Sequence, residues 1–253
     1  MSVRLRCMDT TTIRLLGPPT VVSDGRATVL RGRRHQAVLT VLALEVGRPV
    51  DAESLIGAVW GGNPPPSARK TLQGFVHRLR RRLPPGAIRT EGSSYRLDLP
   101  STTVDAVAFG ELVDAAKAVA PAAALERLEQ ALGLWRGVPF GELTSGRFTI
   151  ERAYLDERRR LAEEDRCDAL IAVGRVADAA IELERLTREE PLRERRWALL
   201  MTALYRVDRQ VDALRAYQRT RDEMVRQVGL EPGAGLQALE EAILSGRPEL
   251  VAS

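Results

Sequence analysis

Lys70, Gly74, His77 and Arg81 are spaced so that a helix would carry them on one side, with Gln73, Arg78 and Arg80 flanking them. Ammonium and guanidinium groups bind anions, and glycine at 74 would let a partner come close at a slight cost in helix stability. The chemistry offered is recognition of a polyanion, not bond making. Taken alone, the same residues also suit a solvated helix face or a helix lying on an acidic membrane. The surrounding chain has to decide between these.

The element that carries them is well delimited. Pro64, Pro65 and Pro66 precede it and Pro84-Pro85-Gly86 follows, so a helix over 67–83 has hard stops at both ends. At about 100° per residue its other side collects Leu72, Val76, Leu79 and Leu83, with Phe75 at the margin. One side wants a core and the other wants anions. Such a helix, roughly 25 Å long, can lie in a DNA major groove.

Enzyme motifs are missing. The 253 residues contain two histidines, His35 and His77, too few for a histidine metal cluster, and no His-Glu-x-x-His exists. Lys70-Thr71 lacks the glycine spacing of a phosphate-binding loop. Glu157, Glu163, Glu164 and Asp165 face arginines at helical spacing and read as surface ion pairs. His35 opens a long helix and reads as a packing or capping residue. No catalytic group, cofactor or metal is expected.

Cys7 and Cys167 lie far apart and match no metal spacing, which fits a reducing compartment. No apolar run approaches a membrane span and no signal-peptide core begins the chain, so a cytoplasmic protein with no membrane partner is expected. The formal net charge of +4 hides an asymmetry. Residues 1–100 hold 16 Lys/Arg against 7 Asp/Glu, and the remainder 22 against 27. A basic first part and an acidic second part point to a polyanion for one and a protein for the other.

In chain order, residues 1–12 read as a loose leader. Short strands follow at 13–16, 20–22 and 27–30, with turn signals at Gly17-Pro18-Pro19 and Ser23-Asp24-Gly25. Helices are expected over 34–46 and 52–60, the second capped by Asp51. After the Arg-rich helix, strands at 87–90 and 95–99 flank a hairpin signal at 91–94.

Strands, three helices and a hairpin resemble a winged helix that opens with a small antiparallel sheet. The segments LIGAVWG (55–61), RKTL (69–72), VHRLRRRL (76–83) and YRL (95–97) resemble the DNA-binding domain of OmpR/PhoB-type response regulators. The resemblance implies that 67–83 is the recognition helix. Lys70, Thr71 and the Trp60 indole N–H would then hold phosphates, while Gln73, His77 and Arg81 would face base edges. Some relatives place a minor-groove arginine where this chain has Glu91. Wing contacts would then fall to Arg89, Ser93, Tyr95 or Arg96.

From Val104 onward, Leu, Ala, Glu and Arg recur at helical spacing. A repeat appears at an offset of 34 residues, pairing Ala169 with Ala203, Leu170 with Leu204, Arg175 with Arg209, Asp178 with Asp212, and Ala179 with Ala213. Ala179, Leu183 and Pro191 reproduce tetratricopeptide (TPR) spacing, and the second copy lacks the proline. Such arrays bind peptides or proteins.

The segments DAVAF (105–109), LWRG (134–137), PLRER (191–195), LMTALYR (200–206), ALRAY (213–217) and GLEP (229–232) are similar to the bacterial transcriptional activation domain. Behind an OmpR-type winged helix, that domain marks the Streptomyces antibiotic regulatory protein family of activators, which the chain resembles as a short member.

The expected architecture is an α+β winged helix followed by an all-α, TPR-like helical-repeat domain. The expected divisions are a 1–12 leader, 13–100 winged helix, 101–246 activation domain and 247–253 tail, with residues 1–100 able to fold alone. The resemblance implies an activator of a secondary-metabolite gene cluster. It would sit as a dimer on tandem direct repeats of double-stranded promoter DNA and recruit RNA polymerase, including its sigma subunit. The Gly61, Gly62, Asn63, Pro64, Pro65 loop is the candidate polymerase contact. The competing reading is a TPR-type protein-interaction scaffold with a non-specific basic domain.

Overall fold

Short β-branched runs separated by tight turns build the first sheet, β1 (Thr12–Arg14), β2 (Thr20–Ser23) and β3 (Arg26–Val29), in the antiparallel order β1-β2-β3. The computed structural model describes residues 11–144 and 146–246. The β2–β3 hairpin turns on Asp24 and Gly25, both at positive φ, which a two-residue loop with native strand twist demands. Residues 1–10 of the expected leader, Cys7 and the 247–253 tail lie outside the described residues. Thr11 and Thr12, also assigned to the leader, belong to the fold: Thr11 is buried and Thr12 pairs with Val22.

Helices α1 (Arg33–Leu44), α2 (Ala52–Trp60) and α3 (Ala68–Arg80) follow. Asp51 caps α2 as its sequence position implies, accepting from the Ser54 backbone N–H at 2.8 Å and its hydroxyl at 2.6 Å. The bond from the Ser54 side chain, more than any other influence, holds the Asp51 carboxyl below the usual range. Strands β5 (Ile88–Glu91) and β6 (Ser94–Leu97) form the wing hairpin, and Gly92 takes φ +59 in its two-residue loop.

A strand that the sequence does not announce, β4 (Pro49–Asp51), pairs antiparallel with β6 and gives the order β4-β6-β5. Three residues with one inward side chain, Val50, carry no readable alternation. Their partner is supplied from far along the chain. The apolar sides of α1, α2 and α3 meet this sheet, burying Val38, Leu42, Leu55, Leu72, Val76, Leu79 and Leu97.

The chain divides into two compact units: residues 1–114 with 130–159, and residues 115–129 with 160–253. The first therefore extends past the division expected at residue 100. Its first strand ends against later segments. Asp105, buried, accepts from the Leu15 N–H at 2.6 Å and the Leu16 N–H at 3.2 Å, and pairs with Arg136 at 2.5 Å. Burial pushes the Asp105 carboxyl upward, and the two backbone donors and Arg136 oppose it. The Phe140 and Arg136 N–H groups donate back to the Leu15 and Leu16 carbonyls at 2.8 Å each, and Val104 bridges Ile13. Helix α4 (Asp105–Ala116) starts from this knot.

The second unit takes in most of α5 (Pro121–Gly133), the latter half of α6 (Arg147–Ala172), and α7 (Val176–Glu189), α8 (Glu194–Arg206), α9 (Gln210–Val228) and α10 (Ala234–Leu244). Offsetting by 34 residues carries the end of α6 onto α8, and α7 onto the start of α9. The copies agree in detail. Arg175 and Arg209 each donate a backbone N–H to the carbonyl five residues back, Leu170 and Leu204, at 2.9 Å, closing the helix end in the same way. Each also pairs with its repeat aspartate, Asp178 or Asp212, at 2.8 Å. Ala179, Ala203 and Ala213 are fully buried among the packed repeat helices.

Glu164 departs from the surface pairing that its helical spacing suggests. Glu164 is not a surface group: it is 1% exposed, as is Arg196, and it accepts from Arg196 at 3.2 Å and Arg193 at 2.7 Å. Arg196 also donates to the Leu186 carbonyl at 3.0 Å and pairs with Glu163 at 3.4 Å and Glu190 at 3.7 Å, so its buried charge is met by several acceptors. Cys167 is buried and free, and desolvation pushes its thiol up to about 12.

Candidate nucleic-acid interface

Helix α3 divides as its periodicity requires. Leu72, Phe75, Val76 and Leu79 are buried, as is Leu83 in the turn beyond its end. Lys70, Gln73, His77, Arg78 and Arg81 are exposed. No described carboxylate pairs with Lys70, Arg78 or Arg81. Gly74 lies among them, and a Cβ built on it would meet open space. Packing therefore does not require glycine there. Arg81 stands just past the last turn, at the helix C-cap, still in helical geometry.

Thr71 is less available than its place suggests. It is half-buried, and its hydroxyl donates to the Ser67 carbonyl at 3.0 Å, so its proton is already used. Trp60 stacks on Phe75 with ring centroids 6.0 Å apart, and the Arg34 guanidinium lies 5.6 Å over its ring. Its indole N–H has no partner among the described residues. Gly61, Gly62, Asn63, Pro64 and Pro65 form an exposed loop between α2 and α3, and the Pro65 carbonyl accepts from the Ala68 N–H at 2.9 Å.

The wing is more committed than the sequence implies. Arg89 pairs with Asp98 at 2.7 Å, and Arg96 with Glu91 at 2.8 Å. Tyr95 is 9% exposed, and its chain position faces Val50 and Thr90 across the sheet. Inward alternation in a three-stranded sheet puts it there, and β4 is the strand that the sequence reading lacks. Of the four wing candidates, Ser93 alone is exposed without an ion pair. Exposed pairs of this kind contribute on the order of 0–1 kcal/mol, so Arg89 can exchange Asp98 for a phosphate at little cost.

Arg80, which the wheel places beside the anion-seeking face, has a different task. Its Nε donates to the Ile88 carbonyl at 3.0 Å and its terminal nitrogen to Thr90 Oγ1 at 2.7 Å. It fastens the helix to the wing. Only the later strand supplies its acceptors, so nothing in the helix periodicity could reveal this.

Known proteins are similar to this chain in sequence and in fold. The family description "Bacterial transcriptional activator domain" matches residues 104–244, and "Transcriptional regulatory protein, C terminal" matches residues 26–97. Regulatory protein DnrI of Streptomyces peucetius is 34% identical over 252 residues, covering 93% of either chain. The chain belongs to the Streptomyces antibiotic regulatory protein family. A longer relative is also similar. Transcriptional regulatory protein EmbR of Mycobacterium tuberculosis is 37% identical over 248 residues, 92% of this chain but 63% of EmbR, so the chain spans less than two thirds of that relative. The solved structure of EmbR in complex with a low-affinity phosphopeptide superposes with a TM-score of 0.88 at 33% identity, covering 96% of this chain and 69% of that one. The family is one of transcriptional regulators, an N-terminal winged helix followed by a helical domain. No described helix is long and apolar enough to cross a membrane.

Proposed function

We propose that this chain is a sequence-specific DNA-binding activator of transcription that seats α3 in the major groove of promoter DNA. The observation that carries the reading is the exposed, uncompensated side of α3, where Lys70, Gln73, His77 and Arg81 surround a glycine that packing does not require. Lys70 is assigned to a phosphate and Arg81, with Gln73 and His77, to base edges. The helical unit and the loop from Gly61 to Pro65 are assigned to RNA polymerase, including its sigma subunit.

Two protomers bind direct repeats in tandem, with centres about 10–11 bp apart on one face of the duplex. The regulated genes are those of a secondary-metabolite cluster, and the protein works in the cytoplasm. The reading gives the chain no reaction to catalyse and no cofactor.

Titration of the full chain against its protected promoter site and against random duplex tests the assignment. Arg81→Ala should lower affinity for the site by roughly 1–3 kcal/mol while sparing random DNA. Lys70→Ala should weaken both equally, because phosphate contacts carry no sequence information. Identical behaviour of the two variants would undo the division of labour. Inserting about half a helical turn, roughly 5 bp, between the repeats should abolish activation. Indifference to that insertion would leave a single protomer as the working unit.

A further inference from the structure

Beside α3, on the margin facing α1, lies an open cleft of about 220 Å³ lined by Leu30, Arg31, His35, Arg78, Leu79 and Arg82. Three arginines line one small concavity, and no acidic residue does. None of Arg31, Arg78 and Arg82 pairs with a described acid. Holding like charges together costs free energy that an anion in the cleft would recover. His35 lines the cleft beside them. Its Nε2 is buried with no hydrogen-bond partner, and its ring is fixed edge-on to Phe75 with centroids 4.4 Å apart.

The position of the cleft says which anion. Successive residues of α3 turn by about 100°, so Arg78 and Arg82 fall on one margin of the exposed face and Arg80 on the other. Arg80 is the residue tied to the wing. The face with Lys70, His77 and Arg81 lies between them. A helix seated in a major groove has a phosphate backbone along each flank. The wing serves one flank; the cleft lies on the other.

We propose that Arg31, His35, Arg78 and Arg82 form a phosphate site for the DNA backbone on the side of α3 away from the wing. The assignment rests on the DNA-binding reading above, and it extends the contact surface to α1 and the segment before it. Arg31 and Arg82 hold the phosphate charge, Arg78 spans the cleft and the recognition face, and the His35 ring forms part of the cleft wall.

The test uses the full chain and a duplex of about 20 bp of arbitrary sequence, with affinity followed from 50 to 200 mM salt. Each lost phosphate contact lowers the slope of log affinity against log salt by about 0.9, so a variant lacking one contact weakens about 3.5-fold less over that range. Arg31→Ala and Arg82→Ala should each show this. Arg26→Ala, which removes the same charge from the exposed strand β3, should keep the wild-type slope. Cleft variants indistinguishable from Arg26→Ala, in a chain that binds duplex normally, would overturn the site alone. A wild-type chain that binds no duplex would sink the DNA-binding reading itself, and this site with it. If the variants abolish a response of the His35 imidazole resonances to inorganic phosphate yet leave DNA binding intact, the site serves a free phosphate and the assignment to DNA fails.

Discussion

Arg80 on α3 donates to Thr90 Oγ1 of the wing strand at 2.7 Å, and its Nε takes the neighbouring Ile88 carbonyl. One guanidinium thereby sets the spacing between the helix and the hairpin that flanks it. Arg80→Ala is expected to cost about 1 kcal/mol, since a net hydrogen bond contributes roughly 0.5–1.5 kcal/mol. Amide exchange should accelerate in β5 before it does in α1. Lysine should not rescue, because a single ammonium cannot reproduce the fork. Unchanged exchange in β5 would show that the wing holds its place without Arg80.

Much of this was legible in the sequence, and the exceptions have physical causes. The division of α3 into core and exposed sides follows from a period that Leu72, Val76 and Leu79 state plainly. The hairpins at Asp24-Gly25 and Gly92 follow from residues that tolerate positive φ. What escaped depends on partners distant in the chain. Strand β4 exists because β6 pairs with it. Tyr95 is inside because that pairing closes the sheet, and Asp105 is buried because Leu15 and Leu16 present free N–H groups to it. The repeat was legible because both copies carry the same arginine and aspartate, whereas the burial of Glu164 on α6 depends on Arg196 from α8, two helices further along the chain.

Gly74 offers a separation of stability from recognition. A Cβ there meets nothing in the protein, and its helix would gain about 0.5–1 kcal/mol from alanine. Gly74→Ala should therefore raise the unfolding midpoint while weakening DNA binding, if the groove floor comes as close as the proposed docking requires. A variant that is both more stable and equally tight would show that α3 does not approach DNA at this position.

His35 predicts a dependence on pH. Burial, with Arg78 and Arg82 adding to it, lowers its pKa below the ordinary 6.5. The unfolded chain takes up a proton near 6.5 while the folded chain does not. Stability is thus fully present above 6.5 and is lost as pH falls from there through the lowered folded value. His35→Phe keeps an aromatic ring against Phe75 and removes the titration. The difference in stability between wild type and His35→Phe should shrink or reverse on acidification through that window. A pH-independent difference would mean that His35 is not held neutral by its neighbours.

The knot at Asp105 decides which piece of the chain folds alone. Charge and apolar patterning favour a cut after residue 100, but that cut removes the carboxylate from the Leu15 and Leu16 N–H groups. It also removes the Arg136 and Phe140 donors from their carbonyls. Four backbone groups at the end of β1 would lose their partners together, beside Ile13, Leu15 and Leu16, which are fully buried in the intact chain. Water can satisfy them only if those side chains become exposed as well. Within the full chain, Asp105→Ala should cost about 2–4 kcal/mol, since each buried donor left unsatisfied costs about 1–3 kcal/mol. Asp105→Asn should fall between, because its carbonyl oxygen can still accept one N–H. A fragment of residues 1–100 should accordingly unfold at lower urea than residues 1–159, which retain Asp105, Arg136 and Phe140. Equal midpoints for the two fragments, read by circular dichroism, would show that the winged helix is closed without the knot.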